Sequence, residues 1–227
     1  MKLRNLSLVT LGVLAAAACE ETPPGYVPPS ISPQRNPLMT FFVTSKKNMT
    51  GNLGGLAGAD RICQELADAA GGVGKTWRAY LSAERGPDGN PVHARDRIGA
   101  GPWRNYNGLV VANNVAELHA RTGSDNIFRD ERAQRINGQW ADSPGPNEHD
   151  ILTGSQPDGT VLAGKTCGDW TSDSPELKAQ VGHSDGLGPM MATTGTYTSW
   201  NSSHENGSCS DTAPRGGAGR FYCFATN

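Results

Sequence analysis

The chain has 227 residues, a formal net charge of −2 at pH 7 and an apolar content of only 36%. This near-neutral charge, with no basic stripe in the sequence, argues against nucleic acid or heparin as a partner. Gly and Pro are abundant, with 29 and 15 residues, so long stretches of the chain are expected to be loops. A loop-rich domain of this kind gains stability from disulfides, for which the chain has five cysteines.

The first 18 residues have the pattern of a secretory signal peptide, with basic residues at the start, a short apolar run and small residues at the end. The apolar run is shorter than the roughly 20 residues that a membrane-spanning helix needs. The small residues directly before Cys19 also resemble a bacterial lipobox, so we expect Cys19 to be the lipidated first residue of the mature protein. The alternative is ordinary cleavage after Ala18, which leaves Cys19 as a lone exported thiol.

Residues 19–37 are rich in proline and form the expected tether between the lipid and the folded part. The folded part is expected over residues 38–227, a length that suits one domain. The chain is therefore predicted to be exported and displayed as a lipoprotein of a bacterial outer membrane or cell surface. Its contact with the membrane is then through the lipid anchor only.

Short segments rich in β-branched and aromatic residues predict the strands of the domain. These segments are residues 39–44, 77–81, 151–154, 197–200 and 220–224. Residues 109–118 are predicted to form a short strand followed by a helix. The stretches 82–107 and 121–149 are predicted to be loops, the second of them exposed.

One clear helix is predicted over residues 59–70, where apolar residues such as Ile62 and Leu66 recur at helical spacing. Asp60 is expected in the first turn, where the helix dipole favours a carboxylate, and Gly71-Gly72 is expected to end the helix. Few helices among short strands predict an α+β domain with a mixed, mostly antiparallel sheet, one or two helices and long loops.

The four cysteines of the domain follow an order that suggests nested pairs. Cys63 lies near the start of the domain and Cys223 near its end, with Cys167 and Cys209 between them. We therefore expect two nested disulfides, one of which ties the two ends of the domain together. Disulfides are typical of exported proteins, which agrees with the signal peptide.

Two histidines and an acid between the inner cysteines are candidate metal ligands. His183, Asp185 and His204 offer imidazole and carboxylate groups, which suit Zn²⁺. Their spacing follows no standard metal motif, and solvated loop histidines are the alternative interpretation.

A second candidate ion site lies at Gln156-Pro-Asp158, which resembles the galactose-type calcium motif of C-type lectins. The Asp that usually completes such a site is missing, since Trp200 is followed by Asn and Ser. A plain Pro-Asp-Gly turn explains the same residues without an ion. No cofactor is certain from the sequence, and calcium and zinc are the two candidates.

The segment Gly182-His-Ser184-Asp-Gly186 matches the G-x-S-x-G pattern of serine hydrolases. That chemistry needs Ser184 on a tight turn between a buried strand and a helix, and the neighbouring residues predict neither element. A glycine-rich loop is the simpler interpretation, so a serine hydrolase is kept only as a remote alternative.

Trp103 and Trp140 lie in polar stretches rich in Gly and Pro. An exposed aromatic side chain in such a loop is suited to contact a sugar or a protein. The alternative is that each ring packs onto the surface of the domain.

Three segments together resemble the endostatin module, a divergent relative of the C-type lectin fold. They are Gly58–Cys63 with Trp77–Ser82, Thr153–Gly159 with Cys167–Thr171, and Phe221–Phe224. The resemblance spans nearly the whole domain and is weak over residues 85–150. It implies a C-type-lectin-like fold with the disulfides Cys63–Cys223 and Cys167–Cys209.

Bacterial lipoproteins with endostatin-like domains are also similar to this chain, and some of them resemble adhesins. Two departures limit what the resemblance implies. The N-terminal zinc histidines of the endostatin family have no counterpart near Phe41, and no basic heparin surface is evident. Zinc and heparin binding as found in that family are therefore not expected.

Together these features predict a non-catalytic binding module, anchored to the envelope, that recognises a protein or glycan ligand in adhesion or recognition. The contact surface is expected in the long loop after Ser82 and in the loop between Cys167 and Cys209, because loops on a rigid scaffold commonly carry function. A calcium-dependent carbohydrate-binding lectin is the main alternative.

Overall fold

The computed structural model of the protein describes residues 35–227. The predictions for the signal peptide (residues 1–18), for lipidation of Cys19 and for almost all of the tether lie outside these residues. Packing begins before the expected boundary, because the backbone N–H of Asn36 donates to the carbonyl of Gly71 at 2.8 Å. Among the described residues, no helix is long and apolar enough to cross a membrane.

Short strands, three α-helical segments and four 3₁₀ turns make up the regular structure of residues 35–227. The strands are β1 (Phe41–Val43), β2 (Trp77–Ala79), β3 (Trp103–Arg104), β4 (Val110–Ala112), β5 (Asp150–Leu152), β6 (Gln180–His183), β7 (His204–Glu205) and β8 (Gly217–Ala225). The helices are α1 (Gly55–Ala69), α2 (Val115–Ala120) and the single turn α3 (Cys167–Trp170). The α+β prediction is confirmed.

The main sheet is built around β8, all of whose residues are buried. β1 and β2 both pair antiparallel with β8, whereas β5 pairs with it in parallel. β6 and β7 extend the sheet from β5 in antiparallel order, and β3 and β4 form a separate pair. The sheet is therefore mixed and mostly antiparallel, as predicted.

Each face of the main sheet buries its own apolar cluster. Because side chains alternate along a strand, neighbouring residues of β8 point to opposite faces. Phe221 and Cys223 pack on the face covered by α1, and Tyr222 and Phe224 pack with Trp200 on the other. Because an apolar cluster covers each face of the sheet, β8 and the strands beside it lie in the centre of the domain.

Both disulfides are formed, and the nested order is confirmed. Cys63 on α1 is joined to Cys223 on β8, across a sequence separation of 160 residues. Cys167 is joined to Cys209, across a separation of 42 residues. The outer bridge thus fastens the main helix to the central strand.

The main helix begins earlier than predicted, at Gly55, which places Asp60 beyond the first turn. The prediction that Asp60 interacts with the helix dipole is therefore wrong. Its carboxylate instead accepts from the guanidinium groups of Arg78 and Arg97, each at 2.8 Å, and from the backbone N–H of Ala79 at 2.9 Å. This ion pair connects α1 to β2 and to the loop that follows it.

Two other local predictions are wrong. Residues 197–200 are not a strand, because a 3₁₀ turn covers Gly195–Thr198 and Trp200 is buried in the core. Residues 121–149 are not simply an exposed loop, since Phe128 and Ile136 are buried in the second apolar cluster. These two buried side chains anchor the stretch to the core, although its mostly polar composition suggested an exposed loop.

Candidate metal centre

Neighbouring strands of the main sheet bring acid and imidazole groups together. Asp150 on β5 lies directly opposite His183 on β6, and Val181 on β6 lies opposite His204 on β7. Since His183 is two residues from Val181, it projects from the same face, beside His204. His149 immediately precedes β5. Four potential ligands thus meet at one end of the β5–β6–β7 ladder.

The three imidazoles direct their Nε2 atoms towards the carboxylate of Asp150. His149 Nε2 and His183 Nε2 lie 3.3 and 3.4 Å from Oδ1 of Asp150, and His204 Nε2 lies 3.6 Å from Oδ2. The Nε2 atoms of His183 and His204 are 2.9 Å apart. No other part of the described chain has three imidazoles around one carboxylate at such distances.

Asp150 is the most unusual member of the group. It is only 1% exposed, and neither of its carboxylate oxygens accepts a hydrogen bond from any described residue. A buried charged group without partners costs several kcal/mol, so such groups are normally paired or bound to a metal. A positive charge beside Asp150, from a bound metal ion or from a protonated histidine, would offset this cost.

Hydrogen bonds on the far side of two of the three rings fix which nitrogen is available, whereas Nδ1 of His183 has no partner among the described residues. His149 Nδ1 donates to Oδ1 of Asp185 at 2.8 Å, and His204 Nδ1 donates to the carbonyl of Glu205 at 2.9 Å. In a neutral imidazole the other nitrogen, Nε2, then carries a lone pair and no proton. Lone pairs on Nε2 facing a carboxylate repel it unless a cation lies between them.

The donor-to-donor distances match those of a tetrahedral zinc site. Zn²⁺ binds imidazole nitrogen and carboxylate oxygen at about 2.0–2.2 Å, which gives a tetrahedron with edges of about 3.3–3.6 Å. Three of the observed distances are 3.3, 3.4 and 3.6 Å, and the fourth is 2.9 Å. Ligand atoms of His149, Asp150 and His183 all lie within 4.8 Å of one another, and His204 adjoins this group through Asp150 and His183.

Glycines allow the close packing that positions the ligands. A Cβ on Gly182 would lie 2.0 Å from the carbonyl oxygen of Trp200, so only glycine lets the chain before β7 lie against β6. A Cβ on Gly138 would lie 2.3 Å from Oδ2 of Asp185. The carboxylate that orients His149 is therefore held in place by a backbone that passes directly beside it.

Burial and neighbouring charges perturb the ionisable groups of the cluster. Burial, together with the charge of His149, lowers the pKa of His183 to about 4, so its imidazole is neutral at physiological pH. The carboxylate of Asp150 raises the pKa of His204. Although burial opposes it, the hydrogen bond from His149 holds the pKa of Asp185 below its ordinary value.

A cavity of about 310 Å³ opens onto the cluster from solvent. Its wall includes three of the four potential ligands, His149, His183 and His204. Other residues of the wall are Gln139, Asn147, Tyr197 and Arg215. Asp150 lies beneath the cavity, so a metal ion held by these groups would be reachable from outside.

The structure brings together two of the three metal ligands named from the sequence. His183 and His204 meet, but Asp185 lies behind His149. Asp185 accepts a hydrogen bond from Nδ1 of His149, so it would support a ligand and not bind the metal itself. His149 and Asp150 were missed by sequence reasoning. The adjacent His-Asp pair just before the apolar residues of β5 is the signal that points to them.

Ser184 does not lie on a strand-to-helix turn. It follows the end of β6, and the next helical turn, Pro189–Met191, is a short 3₁₀ segment. Ser184 itself is only 1% exposed. This geometry gives no support to the serine hydrolase alternative.

The lectin-like residues Gln156 and Asp158 lie in an exposed turn that does not line the cavity of His149, His183 and His204. Asp158 accepts from the backbone N–H and hydroxyl of Thr160 and from Arg95 Nη1, which lies 3.3 Å from Oδ2. Asn201 presents its amide nitrogen, not its oxygen, to the carbonyl of Gln156. The oxygens that a calcium ion would need are therefore engaged elsewhere or turned away.

The two tryptophans differ from each other. Trp103 is buried, with its indole N–H donating to the carbonyl of Ile98, so the prediction that it is an exposed contact residue is wrong. Trp140 is half-buried, and the guanidinium of Arg135 lies 3.6 Å from the centre of its ring. A ligand contact by Trp140 stays a prediction.

No protein-family model matches the chain, and none of the curated proteins matches it significantly. What the structure defines is an α+β domain with two disulfides and a cluster of three histidines around the buried Asp150, beside an open cavity. Its function is therefore inferred from the geometry of this cluster.

Proposed function

We propose that the chain is an exported binding domain whose functional centre is a transition-metal site, best suited to Zn²⁺. The ligands are His149, Asp150, His183 and His204. The observation that carries the proposal is the buried carboxylate of Asp150, which accepts no hydrogen bond from the described residues and is surrounded by three imidazole nitrogens.

The donor set favours zinc over the alkaline-earth ions. Calcium and magnesium prefer sites made of oxygen ligands, whereas three imidazoles and one carboxylate are typical of Zn²⁺. Cu²⁺ also binds imidazole strongly and is the natural competitor. This metal centre is distinct from the zinc site expected in the endostatin family, because it uses no residue near Phe41.

We propose a binding role rather than a catalytic one. Four protein donors fill a tetrahedral zinc site, and structural or binding sites are commonly closed in this way. None of the described residues that line the cavity is an Asp or Glu, so no carboxylate other than the buried Asp150 stands ready as a general base.

The location of the protein, the class of ligand and the fold type are also proposals. Disulfides are typical of exported proteins, which agrees with a lipoprotein displayed at a bacterial envelope that recognises a protein or glycan. We also propose the C-type-lectin-like, endostatin-like fold. It is supported by the pairing of β1 with β8 and by two disulfides with the pairing that the resemblance implies.

A competition titration tests the metal centre. The metal-free protein is titrated with Zn²⁺ in the presence of a chromophoric chelator, and the expected result is one tight equivalent per chain. Asp150→Ala should weaken binding at least 100-fold, whereas Asp158→Ala, an exposed carboxylate outside the site, should have no effect. Equal zinc affinity in the wild type and Asp150→Ala would show that the centre does not exist as proposed.

A further inference from the structure

We propose that the cavity above the metal centre binds a carboxylate group of a ligand, with one oxygen joining the metal as a fifth donor and Arg215 pairing with the charge. This inference rests on the metal centre proposed above. It names the chemical class of the ligand, which the metal centre alone does not determine.

Arg215 is the first reason. It is the only Arg or Lys among the described residues that line the cavity. No carboxylate of the described chain lies within ion-pair distance of its guanidinium, and no hydrogen bond engages it. An arginine without a partner beside a metal centre is suited to recognise an anion.

The backbone at Arg215 holds it in an unusual conformation. Its φ is 67°, in the left-handed region that non-glycine residues rarely adopt. The turn is packed closely against the cavity wall, because a Cβ on Gly216 would lie 2.8 Å from Nδ2 of Asn147. Strained residues of this kind are enriched at ligand sites, and Arg215 is one of eight such non-glycine residues in the described chain.

Neutral hydrogen-bonding groups complete the wall. The Tyr197 ring lies parallel to that of His183, with ring centres 5.9 Å apart, and is partly open to solvent. Neither the hydroxyl of Tyr197 nor the side-chain amide of Gln139 has a hydrogen-bond partner among the described residues. These groups are free to donate to the oxygens of a ligand.

Charge decides between ligand classes. A divalent metal ion and the carboxylate of Asp150 together have a net charge of about +1. The carboxylate of Asp185 reduces the net charge of the site to about zero, and the guanidinium of Arg215 raises it again to about +1. A single carboxylate neutralises that charge. A phosphate dianion would leave an excess of negative charge in a wall with one guanidinium, so a carboxylate is the better fit.

Access to the metal agrees with this arrangement. His149, His183 and His204 line the cavity, whereas Asp150 does not. Zinc sites can expand from four to five ligands, so a carboxylate oxygen entering from the cavity does not need to displace a protein ligand.

The test uses the full chain loaded with Co²⁺, whose visible absorption reports both metal binding and the number of ligands. Addition of acetate should change the spectrum in a saturable way, with the intensity falling as a fifth donor binds. Arg215→Gln should weaken acetate binding at least 10-fold and leave Co²⁺ binding unchanged. Arg61→Gln is the matched control, since Arg61 is an exposed arginine on α1 away from the cavity.

Each outcome has a defined meaning. If the cobalt spectrum forms but acetate does not alter it, or if Arg215→Gln binds acetate as well as the wild type, the carboxylate site is refuted and the metal centre stands. Tighter binding of inorganic phosphate than of acetate would overturn the ligand class. If no cobalt spectrum forms at all, the metal centre itself is wrong, and the carboxylate site is refuted with it.

Discussion

The Nδ1 atom of His149 lies 2.8 Å from Oδ1 of Asp185, while the other nitrogen of the ring faces Asp150. A carboxylate behind a ligand imidazole fixes the orientation and tautomer of the ring and makes it a stronger donor. Asp185 is itself held by the backbone N–H groups of Gln139 and Leu187, at 2.7 and 3.0 Å. It therefore acts as a positioning residue for His149.

Replacement of Asp185 by Asn is expected to weaken Zn²⁺ binding about 10–100-fold, the usual effect of losing an outer-shell carboxylate. The loss follows because an amide can present either end to His149 and carries no charge. The measurement is the competition titration with a chromophoric chelator. Asp96→Asn, at an exposed carboxylate in the 3₁₀ turn after β2, is the control and should bind zinc normally. An unchanged Zn²⁺ affinity in Asp185→Asn would show that Asp185 does not position His149 for metal binding.

The substitution Asp150→Asn should change stability in opposite directions with and without metal. In metal-free protein the variant should be about 1 kcal/mol more stable, because a buried unpaired carboxylate is removed and an amide can donate to Nε2. With zinc at about 100 times the dissociation constant, the wild type gains about 2.7 kcal/mol that the variant lacks. Urea unfolding with EDTA or Zn²⁺ measures both effects. A variant that is less stable under both conditions would argue that Asp150 has an ordinary structural role.

The two disulfides should contribute unequally to stability. In the chain-entropy model, the bridge Cys63–Cys223, which closes 160 residues, contributes about 5 kcal/mol and Cys167–Cys209, which closes 42, about 4 kcal/mol. We expect the double alanine variant of the outer pair to have the lower free energy of unfolding, because the longer loop restricts the unfolded chain more. Chemical unfolding of the two variants provides the comparison. The reverse order would mean that contacts near the inner bridge outweigh the loop-length effect.

Stability should fall on mild acidification, partly because of His119. Burial lowers the pKa of His119 below its ordinary value of 6.5. Its Nε2 lies 2.7 Å from the hydroxyl of Tyr80 and its Nδ1 lies 2.8 Å from the carbonyl of Val115, an arrangement that suits the neutral ring. Below pH 6.5 the unfolded chain therefore binds a proton that the folded chain resists.

The free energy of unfolding is accordingly expected to be fully retained above pH 6.5 and to decrease below it, towards the lower pKa of the folded state. His119→Gln should show a smaller decrease over the same range. Urea unfolding between about pH 8 and pH 5, with EDTA present so that metal ligands do not contribute through binding, measures the difference. Parallel pH profiles for the two proteins would exclude His119 as a source of the dependence.

The framework of the fold was predictable because its signals are local or depend on the order of the cysteines. The apolar spacing within α1 predicts a helix, and the positions of Cys63 and Cys223 suggest a bridge between the ends of the domain. The start of α1 was missed because Gly55 and Gly58 discourage a helix. Glycine is nevertheless required at position 58, because a Cβ on Gly58 would lie 2.0 Å from the carbonyl oxygen of Leu53.

Only half of the metal centre could be predicted, because its ligands meet through strand pairing over long sequence distances. His183 and His204 lie in one loop-rich stretch and were recognised together. His149 and Asp150 join them only through the pairing of β5 with β6, and β6 itself was missed because Gly182 weakens its strand signal. Trp103 was expected in an exposed loop, whereas its neighbours fold it into the core.

Diffraction data collected at the zinc absorption edge from crystals of zinc-loaded protein test the central claim most directly. We expect one anomalous peak per chain, about 2.0–2.2 Å from Nε2 of His149, His183 and His204 and from a carboxylate oxygen of Asp150. The absence of a peak at these atoms, with the carboxylate of Asp150 accepting a hydrogen bond from a protonated histidine instead, would contradict the proposed metal centre.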